Sequence, residues 1–299
     1  MRVVITGATG CVGRSLIKLL NDLKIPTLVL LHKKSSRNEG IVPSEYIKTD
    51  YCDVDEYSDY SSSELYDVFI HMAWVGGSER NNVDLHYKNV EYAINALKLA
   101  KRMGCKRFVF TGSQAECGVV QERISCNTNC NPVNAFGASK LYTGYMTRFL
   151  ANQIGIEHIW CRILSVYGPC DRMTAMVPSV LKKFLANEEV SLTKCEQKWD
   201  FIYCDDAAEA VFLCAQNGVK DKIYPIGSGD VRELNEFISV MRDKTHSNSE
   251  MIFGAIPYSD NQVMFLGADI DELTKDTGFR VKTSFEDGIL KTINWLRSI

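Results

Sequence analysis

The sequence predicts an α/β fold: a doubly wound parallel sheet followed by a smaller α/β C-terminal lobe. Three observations predict it. Short β-branched runs alternate with amphipathic stretches of about a dozen residues, the pattern of repeated strand–helix–strand units. The spacing Gly7-x-x-Gly10-x-x-Gly13 falls between the first such run and the first such stretch. After Tyr167 the rhythm loosens into shorter elements and more loop.

Taken in order, residues 3–6 read as a strand and 12–23 as a helix, then 27–31 as a second strand and 46–50 as a weak third. Residues 68–71 form a fourth strand, 83–103 a long helix, 107–111 a fifth strand, 135–153 another long helix, and 158–163 a sixth strand. Consecutive parallel strands joined by helices cover both sheet faces, and such sheets bind ligands at the carboxyl ends of their strands. The expected division places 1–164 with 199–222 in a Rossmann-type domain, and 165–198 with 223–299 in the smaller lobe.

Composition narrows the function classes. The 299 residues carry a formal net charge of -3, with 45% hydrophobic and 24% charged residues. That is a globular balance rather than a disordered one. No strong basic field exists to draw counterion-release energy from nucleic acid or an anionic membrane. No apolar run reaches the roughly 20 residues of a spanning helix. The chain enters a strand at once (Arg2-Val3-Val4-Ile5), so neither a cleavable signal peptide nor a membrane partner is expected, and a cytoplasmic setting is. The eleven cysteines contain no C-x-x-C pair. Cys126 and Cys130 share a polar loop, where a zinc site competes with reduced thiols as the plainer reading, and Cys161, Cys204 and Cys214 fall in apolar runs as core residues. No metal is expected.

The glycine-spaced turn carries the first chemistry. One glycine permits the sharp strand-to-helix turn, one lets the backbone approach a pyrophosphate, and one lets helix and strand pack closely. The helix start then offers free N–H groups to phosphate. Gly7, Thr9, Gly10, Cys11, Val12 and Gly13 are the expected dinucleotide contacts there. A carboxylate ending the second strand would take the ribose 2′-OH of NAD. Here the run is His32-Lys33-Lys34-Ser35-Ser36-Arg37, with no carboxylate before Glu39. Cations at His32, Lys33, Lys34 and Arg37 suit a 2′-phosphate, so NADP(H) is expected in preference to NAD(H), which remains possible. Asp50 is a candidate for the adenine end.

Further segments follow in a fixed order: His71-Met72-Ala73-Trp74 after the fourth strand, Thr111-Gly112-Ser113-Gln114-Ala115-Glu116 after the fifth, and Phe136-Gly137-Ala138-Ser139-Lys140 opening a helix. Val166-Tyr167-Gly168-Pro169 and Trp199-Asp200-Phe201 come next. Together with the glycine turn, this order resembles the extended short-chain dehydrogenases/reductases, the NAD(P)-dependent nucleotide-sugar epimerases, dehydratases and ketoreductases, over nearly the whole chain. The tail from Phe253 to Met264 resembles the 4-keto-6-deoxy-sugar-nucleotide reductases in particular. The resemblance implies that Ser113 steadies a substrate oxygen and that Lys140 holds the nicotinamide ribose, with Ala73 beside the cofactor. It implies a nucleotide-sugar substrate near Trp74, Gln114, Glu116, Val177, Trp199 and Arg232, and a homodimer formed through the two long helices.

One position breaks the pattern. Where the family has a catalytic tyrosine four residues before the lysine, this chain has Phe136. Positions 136 and 140 share a helix face, whereas Tyr142 and Tyr145 lie well round the helix. Glu116, Cys117 and Ser113 are nearer substitutes. A rewired or binding-only site and an engineered Tyr→Phe replacement both account for the phenylalanine. Family substrate-side positions are also altered: Ser165 stands where the resemblance implies an Asn, and Trp199 and Ser259 where it implies phosphate-binding Arg, leaving Arg172, Lys182, Lys183, Lys198 and Arg232 as possible replacements. The expected function is reduction of a 4-keto-6-deoxy sugar nucleotide. A cofactor-retaining epimerase or dehydratase and a catalytically silent dinucleotide sensor are the alternatives.

Overall fold

The computed structural model describes residues 1–259 and 261–299. Asp260, part of the tail that carries the resemblance, lies outside the described residues. The strands are β1 (Val3–Thr6), β2 (Thr27–Leu31), β3 (Ile47–Tyr51), β4 (Val68–His71), β5 (Arg107–Ser113), β6 (Glu157–Ile163), β7 (Ser165–Tyr167), β8 (Val190–Ser191), β9 (Lys198–Tyr203), β10 (Ile223–Ile226), β11 (Val231–Glu233) and β12 (Met251–Ile252). The helices are α1 (Cys11–Asp22), α2 (Val83–Arg102), α3 (Ala135–Ile154), α4 (Met176–Leu185), α5 (Cys204–Asn217), α6 (Leu234–Thr245), α7 (Asp271–Thr277) and α8 (Phe285–Ser298).

Seven strands make one parallel sheet in the order β10-β6-β5-β4-β1-β2-β3. The chain first builds outward from β1 to β3, then restarts at β4 on the other side. The carboxyl ends of β1 and β4 therefore flank the switch point, where a parallel sheet leaves a crevice. Strand alternation divides the core. Val3, Ile5, Val29 and Leu31 face α1 and α5, while Val4, Leu28, Leu30, Phe69 and Phe108 face α2 and α3. A third cluster, built on Tyr167, Phe184, Phe201, Phe237 and Phe285, joins α4, α6 and α8 into the smaller lobe.

The two glycines that bracket the first turn are sterically required. Gly7 has φ +76, and a Cβ there would lie 2.4 Å from the Met72 carbonyl carbon. A Cβ on Gly13 would lie 2.5 Å from the Gly7 oxygen. Gly10 has no such neighbour inside the protein, its nearest being 3.7 Å away, so its missing side chain leaves room on the crevice side.

The strand pattern held from β1 to β6, but the expected domain boundary is crossed. Ile223–Ile226, placed on the lobe side by sequence, pairs with β6 at the edge of the large sheet, because α5 returns the chain across the sheet. Conversely Lys198–Tyr203 pairs with β7 and β11 in a separate three-stranded sheet. The tail also returns, with Leu273 of α7 and Phe279 entering the core beside α5. No helix among the described residues is long and apolar enough to cross a membrane.

Candidate active site

Three adjoining cavities run along the crevice. The first, of about 310 Å³, is lined by Gly7, Thr9, His32, Lys34, Ser35, Arg37, Cys52, Val54, Ala73 and Trp74. The second, of about 510 Å³, contains Val12, Trp74, Arg80, Ser113, Phe136, Lys140 and Arg172. The third, of about 360 Å³, opens into the lobe past Ser113, Gln114, Arg172, Val177 and Trp199. Trp74 and Arg37 link the first to the second, and Ser113, Arg80 and Arg172 link the second to the third.

At the glycine turn, no side chain caps the start of α1, so its first N–H groups face the crevice unused. Cys11 turns its thiol to Cys204; that contact, reinforced by burial, pushes its pKa up. Cys11 lines none of the three cavities. Arg37 donates to the Thr9 carbonyl oxygen at 3.2 Å, and Arg14 holds the Arg37 carbonyl at 2.6 Å. These residues fit a dinucleotide: a turn that admits close backbone approach, an uncapped helix start for its phosphates, and a flanking cavity for its adenosine.

The basic run after β2 is less free than its sequence suggests. Asp53 accepts from the Lys33 backbone N–H at 2.7 Å and lies 3.4 Å from His32 Nδ1. Glu56 takes the Lys33 ammonium, so Lys33 does not line the cavity. Carboxylates from a later loop thus reach the end of β2, a feature the local sequence did not signal. Lys34, Ser35 and Arg37 remain on the cavity wall. Asp50 also departs from expectation. It lies within β3 and accepts from the Tyr60 hydroxyl at 2.7 Å, while Cys52 and Val54 face the cavity in its place.

The reaction end is densely tied. Lys140 is buried and donates to the Thr111 carbonyl at 2.8 Å, with its ammonium 4.0 Å from the centre of the Trp74 ring. Burial lowers its pKa to about 7, because the charged form loses water. Ser113 ends β5, and its hydroxyl accepts from the Ala115 N–H at 3.2 Å, leaving its own proton to donate. Trp74 Nε1 donates to His86 Nδ1 at 3.2 Å, and both rings pack edge-on against Phe136.

Two substitutes for the missing phenol are removed by the structure. Glu116 is fully buried and turned away from the cavities. Its carboxylate accepts from the Ser113 N–H at 2.7 Å and from Arg162 Nε at 2.8 Å. Burial raises its pKa while Arg162 opposes the rise. It is therefore a brace behind Ser113, not a sugar contact. Cys117 is buried with its sulfur 3.8 Å from Cys130 Sγ. Cys126 points instead to Glu272, 4.0 Å away, so the two loop thiols diverge.

Trp199 lines the lobe cavity and donates to Ser165 Oγ at 2.8 Å, which joins two of the altered positions in one contact. Gln114 and Val177 line it as expected. Arg232 does not, since its guanidinium is taken by Asp230 and Glu286, with Glu286 at 2.7 Å. Tyr167 is core, donating to the Phe285 carbonyl. Tyr142 and Tyr145 lie exposed on the far side of α3. Sequence reasoning missed Arg80, Gln197 and Leu234 on the cavity walls.

A switch-point crevice with a glycine cradle, a buried lysine and a strand-end serine defines an extended short-chain dehydrogenase/reductase. The chain belongs to the NAD dependent epimerase/dehydratase family, whose model matches residues 3–227. It is 26% identical to CDP-abequose synthase of Salmonella muenchen, over 98% of this chain and 97% of that one. It is 24% identical to dTDP-4-dehydro-6-deoxyglucose reductase of Escherichia coli, over 99% and 97%. Among solved structures, UDP-glucose 4-epimerase of Thermotoga maritima with UDP-glucose superposes at TM-score 0.86, with 19% identity, 100% of this chain and 99% of that one. DesIV, a dTDP-glucose 4,6-dehydratase of Streptomyces venezuelae with NAD bound, gives 0.85 with 19% identity, 100% and 97% coverage. These likenesses establish the fold.

Proposed function

We propose that the protein is an NADP(H)-dependent reductase of a 4-keto-6-deoxy sugar nucleotide, working as a homodimer in the cytoplasm. The observation that carries this reading is the second cavity. It brings Lys140 and Ser113, 27 positions apart in sequence, onto one wall beside Trp74, at the end of a crevice fitted to a dinucleotide. The relatives point the same way, since one is named a 4-dehydro-6-deoxyglucose reductase.

A bound dinucleotide supplies hydride chemistry at its nicotinamide end. The chain's own residues do the rest. Backbone N–H groups at the start of α1 hold its phosphates, and Lys34 and Arg37 stand where a 2′-phosphate would be recognised. Lys140 offers a donor to the nicotinamide ribose. Ser113 donates to the substrate carbonyl oxygen, where negative charge grows during reduction. Gln114, Val177 and Trp199 line the passage for the sugar nucleotide, and Arg172 replaces one of the lost phosphate-binding cations.

A panel of 4-keto-6-deoxy sugar nucleotides incubated with NADPH tests the reading by the fall in absorbance at the reduced nicotinamide band. Turnover of one panel member, lowered about 10²–10³-fold by Ser113→Ala, is the expected outcome. Dinucleotide binding with no turnover across the panel would instead identify a silent sensor.

A further inference from the structure

The loss of the phenol at 136 leaves an electrostatic gap, and the geometry points to Arg80 as the group that fills it, its guanidinium donating to the substrate carbonyl oxygen beside Ser113. The inference rests on the reductase reading and adds a catalytic residue to it.

Arg80 is held against Phe136 in two independent ways. Its guanidinium carbon stands 4.5 Å from the centre of the Phe136 ring, within cation–π range. Its backbone carbonyl accepts from the Phe136 N–H at 2.9 Å. The benzyl group that cannot donate a proton thus serves as a shelf for a group that can donate hydrogen bonds. The guanidinium lines both the cavity of Lys140 and Ser113 and the cavity that leads into the lobe. It stands at their junction, where a sugar entering from the lobe would meet the reaction centre.

The loop that carries Arg80 is fixed rather than loose. Asn89 accepts from the Val75 N–H at 2.8 Å and donates to its carbonyl at 2.9 Å. His86 Nε2 lies 2.9 Å from the Glu79 carbonyl, and Asn82 caps α2 through the Leu85 N–H. Preorganised donors aimed at a developing charge are the most effective electrostatic catalysts. Arg80 forms no salt bridge with a carboxylate among the described residues, although it lines both cavities, whereas Arg172 has the charge of Asp171 beside it on the lobe-cavity wall. Partial desolvation and the neighbouring Arg172 both lower the Arg80 pKa, so a nearby anion would relieve both. A sugar alkoxide is such an anion.

The step balances with the reductant already proposed. As hydride from the reduced dinucleotide reaches the carbonyl carbon, the C=O π pair moves onto oxygen. Ser113 and the two-pronged guanidinium hold that oxyanion. It takes its proton from water in the open cavity, and Arg80 stays protonated, as arginine does in proteins.

Three variants and one labelling experiment test this. Arg80→Ala should lower kcat at least 100-fold with the panel substrate, while KM and the dinucleotide Kd stay within threefold. Arg80→Lys, which keeps the charge without the planar fork, should lose about tenfold. In the Arg80→Ala, Phe136→Tyr double variant the restored phenol should recover at least tenfold. Independently of turnover, phenylglyoxal labelling of Arg80, read by peptide mass spectrometry on protein saturated with oxidised dinucleotide, should fall at least fivefold when the sugar nucleotide is added. Arg80→Ala retaining kcat within threefold, absence of rescue, or labelling indifferent to the sugar nucleotide would each overturn the assignment. Protection from labelling in a chain that turns nothing over would overturn the reductase reading while upholding the contact.

Discussion

His71 and His158 show what single buried side chains contribute. His71 sits at the end of β4 with Nδ1 2.8 Å from Thr6 Oγ1, and His158 in β6 has Nε2 2.9 Å from Thr147 Oγ1. Burial pushes both pKa values down to about 3, with Lys140 adding to the effect at His71 and Arg148 at His158. Each is neutral when folded and takes a proton when unfolded, once the pH falls below the ordinary value near 6.5. Between about pH 6.5 and 3 the unfolded chain therefore binds more protons, and stability falls as pH falls. Each histidine contributes up to about 1.4 kcal/mol per pH unit in the fully titrated part of that window. Urea unfolding at pH 7.0 and 4.5 should show a smaller acid loss in His158→Gln than in the unsubstituted protein. Equal losses would mean that His158 is charged in the fold.

At the scale of elements, the proposed preference for NADP(H) turns on the segment after β2. Lys33 is spent on Glu56, and Asp53 stands beside His32, so two of the four basic residues face carboxylates. Lys34 and Arg37 remain on the cavity wall, joined by Ser35. Arg37→Ser should weaken NADP⁺ binding at least tenfold and NAD⁺ binding less than threefold, and the NADP⁺ effect should shrink at high salt as screening takes over. Isothermal titration with both dinucleotides checks it; equal weakening of both would assign Arg37 to the Thr9 turn alone. The same segment shows what the sequence made legible. β1, the glycine turn and α1 were readable because a β-branched apolar run, a Gly-x-x-Gly-x-x-Gly spacing and an amphipathic stretch are all local signals. Asp53 beside His32 was not, because an excursion of about 20 residues had to fold back first. Glu116 read as a sugar contact from its place after β5, yet Arg162, 46 positions later, draws it inward. Arg80 was silent in sequence for the same reason: its position is set by Asn89, His86 and the start of α3, none of which its own neighbours announce.

For the whole molecule, the outer surface of α2 and α3 raises the last question. The two helices pack against each other, yet each leaves large apolar side chains outside. On α3, Tyr142, Tyr145 and Phe149 are exposed at 53%, 43% and 58%, at positions i, i+3 and i+7 of one stripe. On α2, Val83 and Tyr87 are exposed at 67% and 71%. A continuous apolar stripe on a soluble surface marks an interaction site. On the proposed homodimer, a second copy of the chain would cover it, since two such helix pairs related by a twofold axis would bury both stripes in a four-helix layer. The consequence for the site is direct: Phe136 and Lys140 open the same helix that carries the stripe, so pairing would stiffen the helix that positions them. Sedimentation velocity should find a dimer at micromolar concentration. Tyr145→Glu with Phe149→Glu should place a charge on each side of the seam and yield a monomer, with dinucleotide affinity retained and turnover reduced several-fold. A monomeric unsubstituted chain at the same concentration would leave the stripe to a different partner and remove subunit pairing from the account of how α3 is held.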